Sequence, residues 1–391
     1  MADVADPGTS AVESGTGHAR TWTPIVDQHA TWIALNPVQG CPKRCTYCFL
    51  NERGQTAVPP KHLVSAARSV ELLLNSSFYA PPRPVALYTW TDVMALPDSR
   101  RHLAELLEEL VRRKVPNPII LITKCHVPDD TLATIATARK RGLTVLVYLS
   151  YSGLGRDIER GIRHEALAEN FPRLAEAGIP IVHYWRPAFP DSADPDTMHR
   201  VLDHAARYAR CTIAAGLKVE KDALTRLAQV WPELTARPEV TEAEGVYPRA
   251  FWEFIHRTWQ LNPDYPLFHT NSCALAFVLD QPESFGIFGS EVCRVRNHCP
   301  IAQRERCTVA DAQRPELTTD AIDAALARRG LSWTPYTVAD GSREVVIDAT
   351  IDTSLAAALT QDLGVRVRVR RNGTDAYWSS GTAGATPVVL G

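Results

Sequence analysis

The sequence predicts an α/β fold: a partial (β/α)6 barrel, then a cysteine-rich linker, then a small α+β domain. Three observations predict it. Between Thr31 and about Lys218, short β-branched or apolar runs alternate with amphipathic helical segments, the pattern of parallel β/α units. The helical segments stop at turn signals, as at Arg141-Gly142 and Ala177-Gly178. Beyond about Pro315 the composition changes and this rhythm is lost. The 391 residues accordingly divide into a disordered segment (1–20), the barrel (21–240), an auxiliary cysteine-rich region (241–314) and the C-terminal domain (315–391).

The first twenty residues are rich in Gly, Ser, Asp and Ala without periodicity, so they bury no apolar face. Strands are expected at 31–35, 85–89, 119–123, 145–149, 181–183 and 212–215, with helices such as 62–74, 100–113, 131–141 and 166–177 between them. Six parallel strands with right-handed crossovers curl into an open barrel, whose functional residues gather at the C-terminal strand ends. In the last domain, a helix near 319–329, a strand at 344–351, a helix near 355–363 and a hairpin turning at Asn372-Gly373 are expected. Whether that domain caps the barrel, binds substrate or dimerises is left open.

Composition narrows the partners. No run of eighteen apolar residues occurs, so no membrane span is expected. A formal net charge of −2 without a long basic run argues against nucleic acid. An odd total of nine cysteines, clustered in two groups and with no signal-like start, points to metal ligation in a reducing cytoplasm rather than to disulfides.

Residues 36–50 read NPVQGCPKRCTYCFL and place Cys41, Cys45 and Cys48 in a C-x3-C-x2-C array. Thiolates hold the irons of a [4Fe–4S] cluster, and three of them leave the fourth iron open, as a catalytic zinc keeps an open position. A structural zinc wants four ligands in paired spacings, which this loop lacks. The array, with Tyr47 before and Phe49 after the third cysteine, resembles the signature of the radical S-adenosylmethionine superfamily. That resemblance implies a cluster whose open iron binds S-adenosylmethionine. It also implies reductive cleavage to a 5′-deoxyadenosyl radical, hydrogen abstraction from a substrate, and an electron donor such as flavodoxin or ferredoxin.

Each later strand runs out into a polar stretch: Thr89-Trp90-Thr91-Asp92, Thr123-Lys124-Cys125, Ser150-Tyr151-Ser152, Tyr184-Trp185-Arg186-Pro187 and Gly216-Leu217-Lys218. Together with the segment IERGIR at 158–163 and AGIPIVHYWRPAFP at 177–190, these resemble the spore photoproduct lyase branch of the superfamily over roughly residues 31–218. The resemblance makes Cys41, Cys45 and Cys48 cluster ligands and Tyr47 a neighbour of the adenine. It makes Thr91, Ser150, Ser152 and Arg186 candidates for the polar groups of S-adenosylmethionine. Lys124 and Glu159 are further candidates, although each equally suits a solvated ion pair. Cys125, at the same rim, is the candidate catalytic thiol, returning a hydrogen atom to a product radical; packing is its alternative. Trp90, Tyr148, Tyr151, Tyr184 and Trp185 either line the pocket or fill the core.

Cys273, Cys293, Cys299 and Cys307, at spacings x19, x5 and x7, form a complete ligand set for a second [4Fe–4S] cluster or a structural zinc, with His269 or His298 as alternative ligands. Cys211 is expected in the core. The combined expectation is a radical S-adenosylmethionine enzyme acting on a small molecule, such as a nucleoside, sugar or amino-acid derivative. A DNA-lesion repair lyase and a non-catalytic iron–sulfur or zinc protein are the alternatives.

Overall fold

The computed structural model describes residues 19–241, 243, 245–261, 264–283, 299–339, 344–370 and 387–391. Its centre is an eight-stranded sheet whose spatial order is its sequence order: β1 (Val26–Gln28), β2 (Ile33–Leu35), β3 (Val85–Leu87), β4 (Ile119–Thr123), β5 (Val145–Leu149), β6 (Ile181–Trp185), β7 (Cys211–Ala214) and β8 (Leu267–Phe268). β1 is antiparallel to β2, and every other pairing is parallel. The fold is therefore mixed α/β with a large parallel sheet. β2 to β8 are buried along almost their whole length, as parallel strands covered on both faces must be.

All six expected strands form, those at 119–123 and 145–149 with the expected ends and the other four with shifted ends, and two more join them. β1 and β8 are three and two residues long, too short to show any periodicity. The second expected strand stops at Leu87 because Tyr88 takes a left-handed conformation (φ 59°), which breaks the ladder. The fifth runs on to Trp185, in register with Ala214 of β7.

One face of the sheet packs Ile33, Val85, Leu87, Leu121 and Val147 against the helices Ala66–Leu74, Pro97–Arg112, Asp129–Lys140 and Asn170–Glu176. The first of these begins four residues later than expected. Ser65 caps it by accepting from the Arg68 N–H (3.3 Å), while Lys61–His62 pairs with Val38–Gln39 instead. The helix expected at 166–177 is two helices, His164–Ala168 and Asn170–Glu176. Pro172 has no N–H for the Ala168 carbonyl, and His204 Nε2 contacts that freed oxygen at 3.0 Å. The other face carries Ala86, Ile120, Leu146, Tyr148, Val182 and Tyr184.

The C-terminal domain has its own core, formed by helices Thr319–Arg328 and Thr353–Leu363 on a sheet of Tyr336–Ala339, Glu344–Ile347 and Arg366–Val369. It docks at the N-terminal ends of β2 and β3, away from the rim where function was expected. There Arg83 pairs with the buried Asp362, Ser354 donates to Asp27 (2.9 Å) and Gln361 donates to the Ala30 carbonyl (3.0 Å). Arg329 adds a second arginine to Asp362 at 2.6 Å. Of the hairpin expected to turn at Asn372-Gly373, the first strand is Arg366–Val369, and the turn and return strand lie outside the described residues. Val388–Leu390 returns to pair in parallel with Val246–Pro248. Among the described residues, no helix is long and apolar enough to cross a membrane.

A buried polar strut ties the strands together. His183 meets Thr212 Oγ1 (2.9 Å) and the Tyr151 carbonyl (2.8 Å), and Thr212 continues to the Tyr265 hydroxyl (2.9 Å). Burial pushes the His183 imidazole down to about 4, against about 6.5 when unfolded. The unfolded chain binds a proton that the folded one refuses, so stability present above pH 6.5 declines as pH falls toward 4, by on the order of 3 kcal/mol. Urea unfolding at pH 7 and pH 4.5 is expected to show this loss in the wild type and a clearly smaller pH slope in His183→Gln.

Candidate functional site

The three-cysteine loop leaves β2 at its C-terminal end and is pinned from several sides. Asn36, just after β2, accepts the N–H (2.7 Å) and the hydroxyl (3.0 Å) of Thr89 through its side-chain carbonyl. Left-handed Tyr88, anchored by its hydroxyl to His102 (2.8 Å), then turns the chain over the loop. Gly40 donates to the Trp90 carbonyl (3.1 Å) and accepts from the Thr91 hydroxyl (2.5 Å). Gly40 itself has φ 100°, a backbone conformation in which a side chain is strained, so glycine suits this position. Asn51 closes the far side, donating to the carbonyls of Cys45 (3.1 Å) and Cys48 (2.7 Å) while Thr56 donates to it (2.7 Å). Cys45 is also paired across an antiparallel bridge with Glu159.

The three thiols lie within electrostatic reach of one another. Burial, followed by the Cys48 and Asp92 charges, pushes Cys41 up to about 12. Burial and the Cys48 charge push Cys45 higher still, while Lys124 pulls it back. Cys48 is raised by burial and lowered by the Leu50 N–H, Arg226 and Lys124. With Cys45 buried and Cys41 and Cys48 half-buried, three thiolate charges here would need cationic compensation of the kind that the irons of a cluster provide. The donor set thus fits an iron–sulfur group, which Cys41, Cys45 and Cys48 are the residues to hold.

Behind Cys45 sits a buried ionic network. Lys124, at the end of β4, places its Nζ 2.8 Å from Glu159 Oε1, 3.1 Å from the Ser150 carbonyl and 3.2 Å from the Arg186 carbonyl. All three ammonium donors are used, and Glu159 is wholly inaccessible. The Tyr47 hydroxyl also donates to Glu159, and its ring lies 5.6 Å from Lys124 Nζ. His164 Nδ1 stands 3.6 Å from the other Glu159 oxygen. The structure therefore brings Tyr47, Lys124, Ser150 and Glu159 together beside Cys45, bound mainly to one another. The Arg186 guanidinium turns the other way, donating to the Tyr184 hydroxyl (2.7 Å), which also accepts from Asn271 (3.4 Å). Thr91 holds the cysteine loop, and Ser152 Oγ accepts the Leu154 N–H (3.3 Å). Trp185 is not at a pocket mouth: it is fully buried against Phe251 at 4.7 Å, because β6 extends through it. Tyr148 is likewise core.

Cys125 is buried at the same rim. Its N–H donates to Thr123 Oγ1 (2.9 Å), and its carbonyl accepts from Asn170 (2.9 Å). Burial first, then the Asp92 carboxylate, push its thiol far above the ordinary range, so it remains S–H. Asp92 accepts from the Thr123 hydroxyl and the Lys124 N–H, both at 2.8 Å, and so fixes the Thr123–Cys125 corner. Asp92, Asn36, Asn51 and the pair Glu52–Arg226 were not singled out from sequence. Asn51, three residues after Cys48, was the most accessible signal; Arg226 is too far along the chain to show one. In the second group, Cys273 lies in the helix Asn271–Val278 directly after β8, while Cys299 and Cys307 flank and enter the helix Ile301–Ala312. Cys293 and His298 lie outside the described residues. Among the described residues, no three His, Cys, Asp or Glu side chains converge on a single-ion position.

No family model matches the chain, and no curated protein does. Among solved structures it is similar to spore photoproduct lyase complexed with dinucleoside spore photoproduct, at 14% identity and TM-score 0.42, covering 58% of this chain and 65% of that one. It is also similar to the cobalamin-dependent S-adenosylmethionine radical enzyme OxsB with aqua-cobalamin and S-adenosylmethionine bound, at 11% identity and TM-score 0.36, covering 85% of this chain and 53% of that one. This chain thus spans less than two thirds of the length of either.

The ionic network has a direct energetic consequence. Lys124→Met strands Glu159 in the interior, and breaking a buried pair in this way costs roughly 3–5 kcal/mol. Urea titration is expected to show that loss, with most of it recovered in the Lys124→Met/Glu159→Gln double variant. A single variant as stable as the wild type would mean that water screens the pair.

Proposed function

We propose that this protein is a radical S-adenosylmethionine enzyme acting on a small molecule, a nucleoside, sugar or amino-acid derivative, at the C-terminal rim of its sheet. The observation that carries the reading is the loop that sets Cys41, Cys45 and Cys48 within electrostatic reach of one another directly after the first parallel strand, with the charges of Lys124 and Arg226 acting on its thiols. Cys41, Cys45 and Cys48 would hold a [4Fe–4S] cluster with one iron left for S-adenosylmethionine. Together these groups, reduced by a donor such as flavodoxin or ferredoxin, supply a 5′-deoxyadenosyl radical for hydrogen abstraction.

The chain's own residues position and protect. Lys124 and Arg226 offset thiolate charge. Asp92 holds the Thr123–Cys125 corner, and Cys125 stays protonated, the state a hydrogen-atom donor needs. Of the candidates for the polar groups of S-adenosylmethionine, Ser150 stands at the rim beside Lys124, whereas the Arg186 guanidinium would have to leave the Tyr184 hydroxyl to take that role. The singly wound strand order supports a partial barrel. The position of Cys273 after β8, on this same rim, supports an auxiliary [4Fe–4S] cluster or structural zinc held with Cys293, Cys299 and Cys307. The net charge of −2 favours a small substrate over duplex DNA.

Anaerobic reconstitution is expected to load about eight irons if both cysteine groups hold cubes and about four if only the first does. Replacing Cys41, Cys45 and Cys48 together by Ala is expected to remove all S-adenosylmethionine cleavage; cleavage retained in that variant sinks the reading. Fluorescence anisotropy with labelled DNA at two salt concentrations tests the substrate class, and tight, strongly salt-dependent binding would replace the small molecule by a DNA lesion.

A further inference from the structure

We propose that Arg226 is a positioning residue that sets the reduction potential of the group held by Cys41, Cys45 and Cys48, by directing one guanidinium N–H and a fixed positive charge at its Cys48 side. This rests on the iron–sulfur reading above and adds a residue to it. Arg226 lies in the short helix Leu224–Leu227, beyond the segment that leaves β7. Its Nε and Nη2 grip Glu52 as a fork, at 2.7 and 2.8 Å. Glu52 ends the single turn Phe49–Asn51 that Cys48 caps, so the fork fastens Arg226 to the ligand-bearing turn itself.

The third nitrogen is the telling one. Nη1 is buried and has no hydrogen-bond partner among the described residues, whereas Nε and Nη2 each donate to Glu52. A buried donor without an acceptor is costly and rare in a native protein, and it calls for a missing group. The charge of Arg226 acts on Cys48, and thiolate or sulfide sulfur is the acceptor that an iron–sulfur group would bring there. Lys124, the other nearby cation, has no donor left, since three acceptors saturate it. Hydrogen bonds to the sulfurs and local charge are the protein's means of setting a cluster's potential. A fixed cation favours the reduced, more negative state, so removing Arg226 lowers the potential.

The test uses reconstituted full-length wild type, Arg226→Gln, Arg226→Lys and Arg53→Gln. Iron content is measured for each, and a redox titration monitors the electron paramagnetic resonance signal that changes when S-adenosylmethionine is added. Arg226→Gln is expected to shift the oxidised-to-reduced ratio about tenfold toward oxidised, equivalent to about 59 mV for one electron. Arg226→Lys, which keeps the charge and the Glu52 pairing but loses Nη1, is expected to shift less in the same direction. Arg53→Gln, paired instead with Glu220 at 2.7 Å, is expected to leave the potential unchanged. Wild-type potential in Arg226→Lys and in any Arg226→Gln that folds overturns the proposal, as does an equal shift in Arg53→Gln. Wild type without a responsive cluster signal would instead overturn the iron–sulfur reading beneath it.

Discussion

The ammonium of Lys124 holds the rim together. It joins the carbonyls after β5 and β6 to the carboxylate of Glu159, and Glu159 is paired through its backbone with Cys45. A lysine in water would not take such a post. Here the strand ends exclude solvent, every donor is satisfied, and the single negative charge beside it is equally cut off from water. The cysteine loop is thus bolted to the ends of three strands by one small ion, and the position of Cys45 depends on the packing of the sheet.

Around that bolt, short polar side chains do the fine placement. Asn36, Thr91 and Asn51 consume the backbone groups that a long irregular loop would otherwise leave unpaired. Tyr88 pays a backbone strain for turning the second crossover over the loop, secured by the buried His102 contact. The opposite end of the sheet is closed by a different device, the Arg83–Asp362–Arg329 cluster that seats the C-terminal domain. Domain docking therefore takes place at the end of the sheet opposite the cysteine loop.

Much of this was legible in advance, and the misses have physical causes. Parallel strands buried on both faces read as apolar runs, so all six expected ones were visible, whereas β1 and β8 carry too few residues to show a pattern. Of the polar residues at the strand ends, Lys124 and Ser150 meet beside Glu159. Their partners were not foreseeable: Thr91 and Ser152 turn to backbone groups nearby, and Trp185 stays in the ladder and in the core. A strand end and a strand interior differ by one or two residues, which is the uncertainty of any boundary read from pattern.

The donor set is what the sequence determined by itself: three thiols at x3 and x2 on one loop, an array whose chemistry depends on spacing alone because its members are local. The alternation of apolar runs and amphipathic helices likewise determined the sheet class, since periodicity is a property of the chain. Tertiary structure alone decided what surrounds the thiols. Glu159 lies more than a hundred residues from Tyr47, and Arg226 is 174 residues from Glu52. Contacts across such separations arise only when strands align in register and bring their ends to one side, and no local pattern encodes which cation will then face which sulfur.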